Sequence, residues 1–176
     1  MGPENQGVIE VRGWFGLSGG GRTGELGAGD VAPAFELVDQ HGETRRLADY
    51  RGQWLVLYFY PRDATPGCTT EACHFRDDVP RLRELGAQVL GVSLDSRDSH
   101  AAFAERYNLP FPLLADRDGA VARAYGAYFG LGPVRFAKRQ TFLIDPEGRI
   151  AAAYRKVKPA THSDELVAAV KRLRGS

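Results

Sequence analysis

The fold is decided by residues 54–68, which read WLVLYFYPRDATPGC. The first seven are apolar or aromatic throughout, which is typical of a strand that is buried on both faces at the centre of a sheet. Pro66 suits the first position of a helix, because the missing N–H of proline costs nothing there. The segment therefore predicts a β-strand, a loop and a helix N-terminus in direct succession.

The sequence around this segment alternates between strand and helix patterns. Apolar residues recur at spacings of three and four after Cys68, which predicts an amphipathic helix that Pro80 should kink or split near its middle. The remaining predicted elements are hairpins at 33–47 and 140–154, strands at 88–94 and 111–114, and helices at 96–107, 119–125 and 163–173, the last capped by Ser163. This order indicates an α/β protein with a mixed central sheet and helices on both faces.

Composition excludes several classes of function. The chain has 176 residues, which at roughly 100–200 residues per domain is one domain. Its 23 Lys and Arg against 22 Asp and Glu leave a net charge of +1, so no general basic field would recruit nucleic acid or a membrane surface. The longest apolar run, at 54–60, is far shorter than the roughly 20 residues that span a bilayer.

The first 25 residues differ from the remainder of the chain. They are rich in glycine, with three in a row at 19–21, and lack the features of a secretory signal. We expect a flexible, Gly-rich N-terminal arm at 1–25 and one folded domain at 26–176. A chain with redox-active thiols and no targeting signal is expected in the cytoplasm.

The two cysteines, Cys68 and Cys73, point to chemistry rather than to structure. Two cysteines do not make a secreted disulfide scaffold, and a bridge between close neighbours closes too small a loop to stabilise much. A structural zinc site is also not indicated, because the four histidines are scattered without ligand spacing. No metal or cofactor is predicted, and a redox or nucleophilic role remains.

The predicted helix makes the two thiols different. Cys68 falls in the first turn, where the helix's partial positive charge and free N–H groups favour the thiolate. Cys73 lies five residues further on, which in an ideal helix separates the Cα atoms by roughly 8.7 Å, whereas a disulfide tolerates about 7 Å at most. The two cysteines can therefore bond only after the first turns unwind, which suits a catalytic cycle better than a static link.

Residues 58–73, YFYPRDATPGCTTEAC, resemble the active-site segment of peroxiredoxins of the Q-type branch, also called bacterioferritin comigratory proteins. Further matches are the GVSLD at 91–95, the SH at 99–100 with Phe103, the LPFPLL at 109–114 and the R-x-TFLID at 139–145. The resemblance covers residues 26 to the C-terminus and implies a thioredoxin-like fold and a thiol-dependent peroxidase that acts on hydrogen peroxide and organic hydroperoxides.

The resemblance also implies a role for individual residues. Cys68 would be the peroxidatic nucleophile and Cys73 the resolving cysteine, while Pro61, Thr65 and Arg139 would complete the site. Donors such as the Thr65 hydroxyl and the Arg139 guanidinium would stabilise the peroxide oxygens. The resulting sulfenic acid would condense with Cys73, and thioredoxin or a similar dithiol would reduce the disulfide. The Q-type resemblance favours a monomer.

Simpler interpretations of these residues stay open. Cys68 lies on the apolar stripe and could be a core residue, and Cys73 could be a spectator in a single-cysteine enzyme. Arg139 could face water, and Thr65 could act only as a helix cap.

Three other residues lie within the matched motifs. Glu71 either pairs with a cation near the site or is a helix-start carboxylate. Phe111 either lines the substrate approach or belongs to the core, and His100 is expected to be partly exposed.

Two rival functions are compatible with a reactive thiol. A general thiol–disulfide oxidoreductase would prefer Cys-x-x-Cys, whereas this chain has four residues between its cysteines. A non-catalytic redox-sensing or chaperone-like module would bind clients through apolar surface when oxidised, and would react slowly with peroxide.

Overall fold

The computed structural model describes residues 25–175, so the predicted arm lies outside the described residues except for Glu25. The strands are β1 (Glu36–Val38), β2 (Thr44–Arg46), β3 (Trp54–Phe59), β4 (Ala87–Ser93), β5 (Leu113–Ala115), β6 (Tyr128–Leu131), β7 (Val134–Ala137), β8 (Gln140–Ile144) and β9 (Ile150–Tyr154). The α-helices are α1 (Pro66–Glu84), α2 (Arg97–Tyr107), α3 (Ala120–Ala124) and α4 (His162–Arg174), and a short 3-10 helix spans Leu47–Tyr50.

The main sheet has the strand order β9-β8-β3-β4-β5. β3 pairs in parallel with β4 and antiparallel with β8, so the apolar strand at 54–59 is central and the sheet is mixed. Two separate hairpins, β1–β2 and β6–β7, stand outside it. The predicted α/β class with a mixed central sheet is confirmed.

The central strand divides its side chains between two cores, because successive strand residues point to opposite faces. Val56, Tyr58 and Tyr60 pack in the core that also holds Cys68 and buried residues of α1, α2 and α4. Leu55, Leu57 and Phe59 pack on the other face with residues of α3 and of the N-terminal segment. The sheet is therefore covered by helices on both faces, as predicted.

Helix α1 runs unbroken from Pro66 to Glu84 with Pro80 inside it, so the prediction of a split helix is wrong. Pro80 is exposed and lies in the last turns rather than at the middle. On either side of it, Val79 and Leu82 are buried in the core. Their packing holds the helix together across the hydrogen bond that proline cannot make.

Two further features differ from the predicted elements. The apolar, glycine-bearing segment at 127–132, for which no element was predicted, contributes β6 of a hairpin whose Phe129 and Phe136 rings stack with centroids 4.8 Å apart. Helix α4 begins at His162 with Thr161 at the N-cap position, so Ser163 is not the cap. The Ser163 side chain is buried instead and donates to an Asp78 carboxylate oxygen at 2.6 Å.

None of the helices in the described part of the chain is both long enough and apolar enough to cross a membrane.

The contact between Ser163 and Asp78 links α4 to α1 and gives a test of the packing. Replacing Ser163 with alanine leaves a largely buried carboxylate with one donor fewer, which should lower the free energy of unfolding by about 1.5–3 kcal/mol. Urea unfolding followed by circular dichroism measures this change. The control is Ala168→Ser on the exposed face of α4, expected to cost at most about 0.5 kcal/mol. Equal effects of the two substitutions would contradict this account.

Candidate active site

The site lies at the carboxyl end of the central strand β3, where a loop at 61–65 leads into helix α1. Cys68 sits in the first turn of that helix and is only 1% exposed. Its side chain packs in the same core as Tyr58 of the strand and Tyr60, which directly follows the strand. The first helical turn thus presents a buried thiol together with backbone N–H groups that have no partner within the helix.

Arg139 reaches this thiol from the neighbouring strand. It stands directly before β8, whose Gln140 pairs with Phe59 at the end of β3. One guanidinium nitrogen of Arg139 lies 3.2 Å from the Sγ atom of Cys68, at hydrogen-bond distance. Burial acts to lower the pKa of Arg139, but the adjacent Cys68 and Glu71 outweigh it and raise that pKa above its ordinary value. Arg139 therefore stays charged beside the sulfur.

Glu71 is the second partner of Arg139. Its side chain is 1% exposed, and its Oε1 atom accepts a hydrogen bond of 2.7 Å from the other guanidinium nitrogen. Burial raises the pKa of Glu71 to about 7, although the Arg139 charge opposes this shift. Of the two roles left open by the sequence, the structure shows the pairing with a cation at the site.

Gly67 makes room for this arrangement. A Cβ atom at Gly67 would lie 3.0 Å from a guanidinium nitrogen of Arg139, which is closer than most real Cβ contacts. The glycine directly before Cys68 therefore lets the guanidinium approach the start of α1.

Thr65 and Pro61 stand on the loop that leads into the helix. Thr65 occupies the N-cap position, but its hydroxyl donates to the carbonyl oxygen of Arg62 at 2.9 Å and makes no cap to the helix. Pro61 is half-buried at the start of the loop. The structure thus places Pro61, Thr65, Cys68 and Arg139 in one region, with Thr65 as the member whose hydroxyl is engaged elsewhere.

Cys73 lies on the same continuous helix as Cys68, as the spacing predicted. It is half-exposed, and both cysteines are free thiols. Since α1 is intact across both positions, the helical spacing keeps the two sulfurs from bonding in this conformation.

Tyr58 is a site neighbour that sequence reasoning missed. Its ring stacks on Phe75 of α1 with centroids 4.7 Å apart, and its hydroxyl is buried without a hydrogen-bond partner among the described residues. Burial first, and then the nearby Glu71 and Cys68, raise the pKa of Tyr58 well above its usual range, so this hydroxyl stays neutral. Phe111 is 3% exposed and meets the Tyr58 ring edge-on, which places it in the core.

A second polar cluster lies under the loop, and it corrects the expectation for His100. The His100 ring is fully buried, with Nδ1 at 2.7 Å from an Asp63 carboxylate oxygen and Nε2 at 3.0 Å from the Leu114 carbonyl oxygen. The buried ring is tolerated because both nitrogens have partners. The sequence held one signal for this contact, because Asp63 and the SH at 99–100 both lie inside the matched motifs.

Among the described residues, only Asp63, Asp95 and His100 form a cluster whose ligand atoms lie close enough to hold a metal ion, within 4.8 Å of one another. Each of these side chains already has a protein partner: Asp95 accepts from Ser93 and from the backbone N–H of Asp63, and Asp63 and His100 contact each other. The cluster therefore contains no orphaned atom that would indicate an ion.

Comparison with known proteins places this site in a family. Residues 28–153 match the model of the AhpC/TSA family. The chain is 47% identical over 148 residues to peroxiredoxin Bcp of Bacillus subtilis, covering 81% of this chain and 94% of that protein. It is 40% identical over 154 residues to the chloroplastic peroxiredoxin Q of Triticum aestivum, covering 85% of this chain and 69% of that protein.

A solved structure supports the same assignment. The peroxidoxin BcpB from Mycobacterium tuberculosis superposes with a TM-score of 0.81 at 37% identity, over 85% of this chain and 99% of that chain. This likeness agrees with the thioredoxin-like fold expected from the motifs. The chain therefore belongs to the AhpC/TSA family, as a peroxiredoxin and hence a thiol-dependent peroxidase of the Bcp and peroxiredoxin Q group.

Proposed function

We propose that Cys68 is the peroxidatic cysteine and Cys73 the resolving cysteine of this peroxidase, with Arg139, Thr65 and Pro61 completing the site. The observation that carries the proposal is the Arg139 guanidinium 3.2 Å from the Cys68 sulfur at the start of α1. A cation and a helix N-terminus together favour the thiolate, which is the reactive form of cysteine.

The first half-reaction follows from this geometry. The Cys68 thiolate attacks one oxygen of the hydroperoxide, the O–O bond breaks, and the other oxygen leaves as water or an alcohol after taking up a proton. Cys68 becomes a sulfenic acid, so sulfur is oxidised by two electrons and the peroxide is reduced by two. Arg139 and the free N–H groups of the first turn stabilise the charge that grows on the leaving oxygen.

Thr65 and Pro61 have supporting roles in this step. The Thr65 hydroxyl donates to the Arg62 carbonyl in the free enzyme, and it would exchange this partner for a peroxide oxygen on substrate binding. Pro61 offers no N–H and forms an apolar wall beside the loop, which limits the access of water to the sulfur.

The second half-reaction needs a change in α1. Cys73 attacks the sulfenic sulfur as a thiolate and the hydroxyl group leaves as water, which forms an intramolecular disulfide. Because the intact helix holds the cysteines too far apart, its first turns unwind before this step. A dithiol reductant of the thioredoxin type then returns both thiols through a mixed disulfide.

Three further assignments belong to this proposal. The peroxidase domain comprises residues 26–176, and the enzyme acts as a monomer. Its two free thiols suit a reducing compartment such as the cytoplasm, where thioredoxin-type reductants keep thiols reduced.

The first experiment is to mix the reduced protein with one equivalent of hydrogen peroxide and to follow intact mass after quenching with a thiol-blocking reagent. The parent should rapidly lose two hydrogens, whereas Cys73→Ser should gain one oxygen and Cys68→Ser should do neither. Reaction of the parent no faster than a free small-molecule thiol would refute the proposed roles. Accumulation of a Cys68 sulfenic acid in the parent as in Cys73→Ser, with no loss of two hydrogens, would refute the assignment of the resolving cysteine.

The neighbouring cations Arg139 and Lys138 provide a test substitution and its matched control. Arg139→Met removes the charge beside the sulfur and should slow oxidation by peroxide about 100-fold, because it removes one preorganised donor from the transition state. Lys138→Met changes an exposed side chain and should leave the rate within about twofold. Stopped-flow measurement of the second-order rate constant checks both, and equal effects would exclude a specific role for Arg139.

The buried Glu71 predicts a pH dependence of stability. Its folded pKa of about 7 is above the ordinary value of 4.5, so the folded state binds the proton more tightly. The resulting stabilisation is complete below about pH 4.5 and is lost as the pH rises through 7, a loss on the order of 3 kcal/mol. Glu71→Gln should lack this loss, and should gain stability relative to the parent between pH 4.5 and 8.

Urea unfolding across this pH range measures the difference, with the exposed Glu84→Gln as control. A difference between Glu71→Gln and the parent that stays constant with pH would show that Glu71 does not titrate in this range.

A further inference from the structure

The Asp63 carboxylate connects the loop before helix α1 to Tyr60, which directly follows β3, and to two side chains of α2. Asp63 is buried, and its carboxylate accepts hydrogen bonds from the Tyr60 hydroxyl at 2.5 Å and the Ser99 hydroxyl at 2.8 Å. His100 Nδ1 contacts the same carboxylate at 2.7 Å. We call these four side chains, Tyr60, Asp63, Ser99 and His100, the loop anchor.

His100 has a partner on each side of its ring. The Leu114 carbonyl oxygen can only accept, so the Nε2 atom of His100, 3.0 Å away, carries a hydrogen. The Nδ1 atom on the other side of the ring lies 2.7 Å from an Asp63 carboxylate oxygen, at hydrogen-bond distance. The ring therefore connects the Asp63 carboxylate to the Leu114 carbonyl, and the two hydroxyl groups contact the same carboxylate.

The loop anchor restrains a strained backbone. Ala64, directly after Asp63, has a φ of 64°, a left-handed conformation that is unfavourable for a residue with a Cβ atom. On its other side, the Thr65 carbonyl oxygen accepts the first helical hydrogen bond, from Thr69 N–H at 2.8 Å. Ala64 therefore connects Asp63, whose carboxylate is held by the loop anchor, to the start of α1. Once Asp63 is released, the backbone of Ala64 can relax and the first turn of α1 is no longer held in place.

Helix α1 is also held in place beyond Cys73. Asp78 on α1 accepts from Ser163 of α4, and the Arg76 guanidinium donates to the Tyr107 carbonyl oxygen at 2.8 Å. Both cysteines lie between these contacts and the loop anchor. These contacts stabilise α1 beyond Cys73, so unwinding that brings the two thiols together should occur most easily between Asp63 and Arg76.

We propose that His100 is a positioning residue for the peroxidase cycle: through Asp63 it holds the loop and the first turn of α1 in the peroxide-competent form, and so it sets how readily α1 unwinds for disulfide formation. This rests on the proposed roles of Cys68 and Cys73. His100 touches neither substrate nor the reacting sulfur, and it acts by stabilising the folded conformation over the unwound one.

The proposal predicts opposite effects on two steps. Weakening the loop anchor raises the population of the unwound form, so the sulfenic acid of Cys68 meets Cys73 sooner. Oxidation by peroxide needs the folded form, so it becomes slower or stays unchanged. Over-oxidation to the sulfinic acid, in which a second peroxide competes with Cys73, falls by the same factor by which resolution is accelerated.

The test uses two substitutions of His100 that each keep one nitrogen. In His100→Asn the amide can still donate to Asp63, whereas in His100→Gln it reaches toward the Leu114 carbonyl and leaves Asp63 without that donor. Rapid quenching of EDTA-treated protein, with a sulfenic-acid trap and intact mass, yields the rate of sulfenic acid formation and the rate of its conversion to disulfide. The control is Tyr125→Phe, which removes a buried hydrogen bond to the Pro33 carbonyl on the opposite face of the sheet.

We expect disulfide formation to accelerate about fivefold or more in His100→Gln, without faster oxidation, and to stay within about twofold of the parent in His100→Asn. Tyr125→Phe should change neither rate, even where its loss of thermal stability equals that of His100→Gln. Ser99→Ala, which removes one donor from the same carboxylate, should act in the same direction to a smaller extent, and it provides the test if His100→Gln does not fold.

Several results would overturn the proposal. Slower resolution in His100→Gln and Ser99→Ala, or unchanged resolution in both, would show that the loop anchor does not govern unwinding. If EDTA alone changed both rates in the parent, a metal ion bound by Asp63, Asp95 and His100 would position the loop instead of the hydrogen bonds of the loop anchor. A parent that forms no sulfenic acid or disulfide would instead contradict the roles of Cys68 and Cys73, which is a distinguishable failure.

Discussion

The site depends on one guanidinium that is shared by two buried groups. Arg139 contacts the sulfur of Cys68 at 3.2 Å and the carboxylate of Glu71 at 2.7 Å. Without this cation, the Cys68 sulfur and the Glu71 carboxyl group, each about 1% exposed, would lie in a region of low dielectric with no positive charge between them. The contact also ties strand β8 to the start of α1, so the same interaction positions the nucleophile and holds the helix against the sheet.

This arrangement is in conflict with the second half of the proposed cycle. The intact helix that gives Cys68 its charged environment also keeps Cys73 out of bonding range, so the enzyme must alternate between a folded and an unwound start of α1. The structure restrains both ends of the segment, by Asp63 before it and by Asp78 behind it. Between them lies Ala64, whose left-handed backbone conformation is strained.

Much of the fold was predictable because its patterns are local. The apolar run at 54–60 predicts a buried central strand, and the spacing of apolar residues after Cys68 predicts an amphipathic helix. Both patterns can be recognised from residues that are close together in the chain. The errors occur where a distant contact outweighs a local preference. Pro80 does not split α1, because Val79 and Leu82 are packed in the core, and Ser163 is drawn away from a cap position by Asp78. The β6–β7 hairpin was missed because its glycines obscured the strand pattern.

By itself, the sequence determined the α/β class, the helix that carries both cysteines and the family motif around Cys68, since each depends on residues that are close together in the chain. Only the tertiary structure decided the partners of the charged groups. It placed Glu71 against Arg139, 68 residues away, and His100 against Asp63, 37 residues away. It also turned the Thr65 hydroxyl to the Arg62 carbonyl instead of the helix. The sequence specifies the charge and the hydrogen-bonding groups of each side chain. Which partner each group contacts depends on how the strands and helices pack.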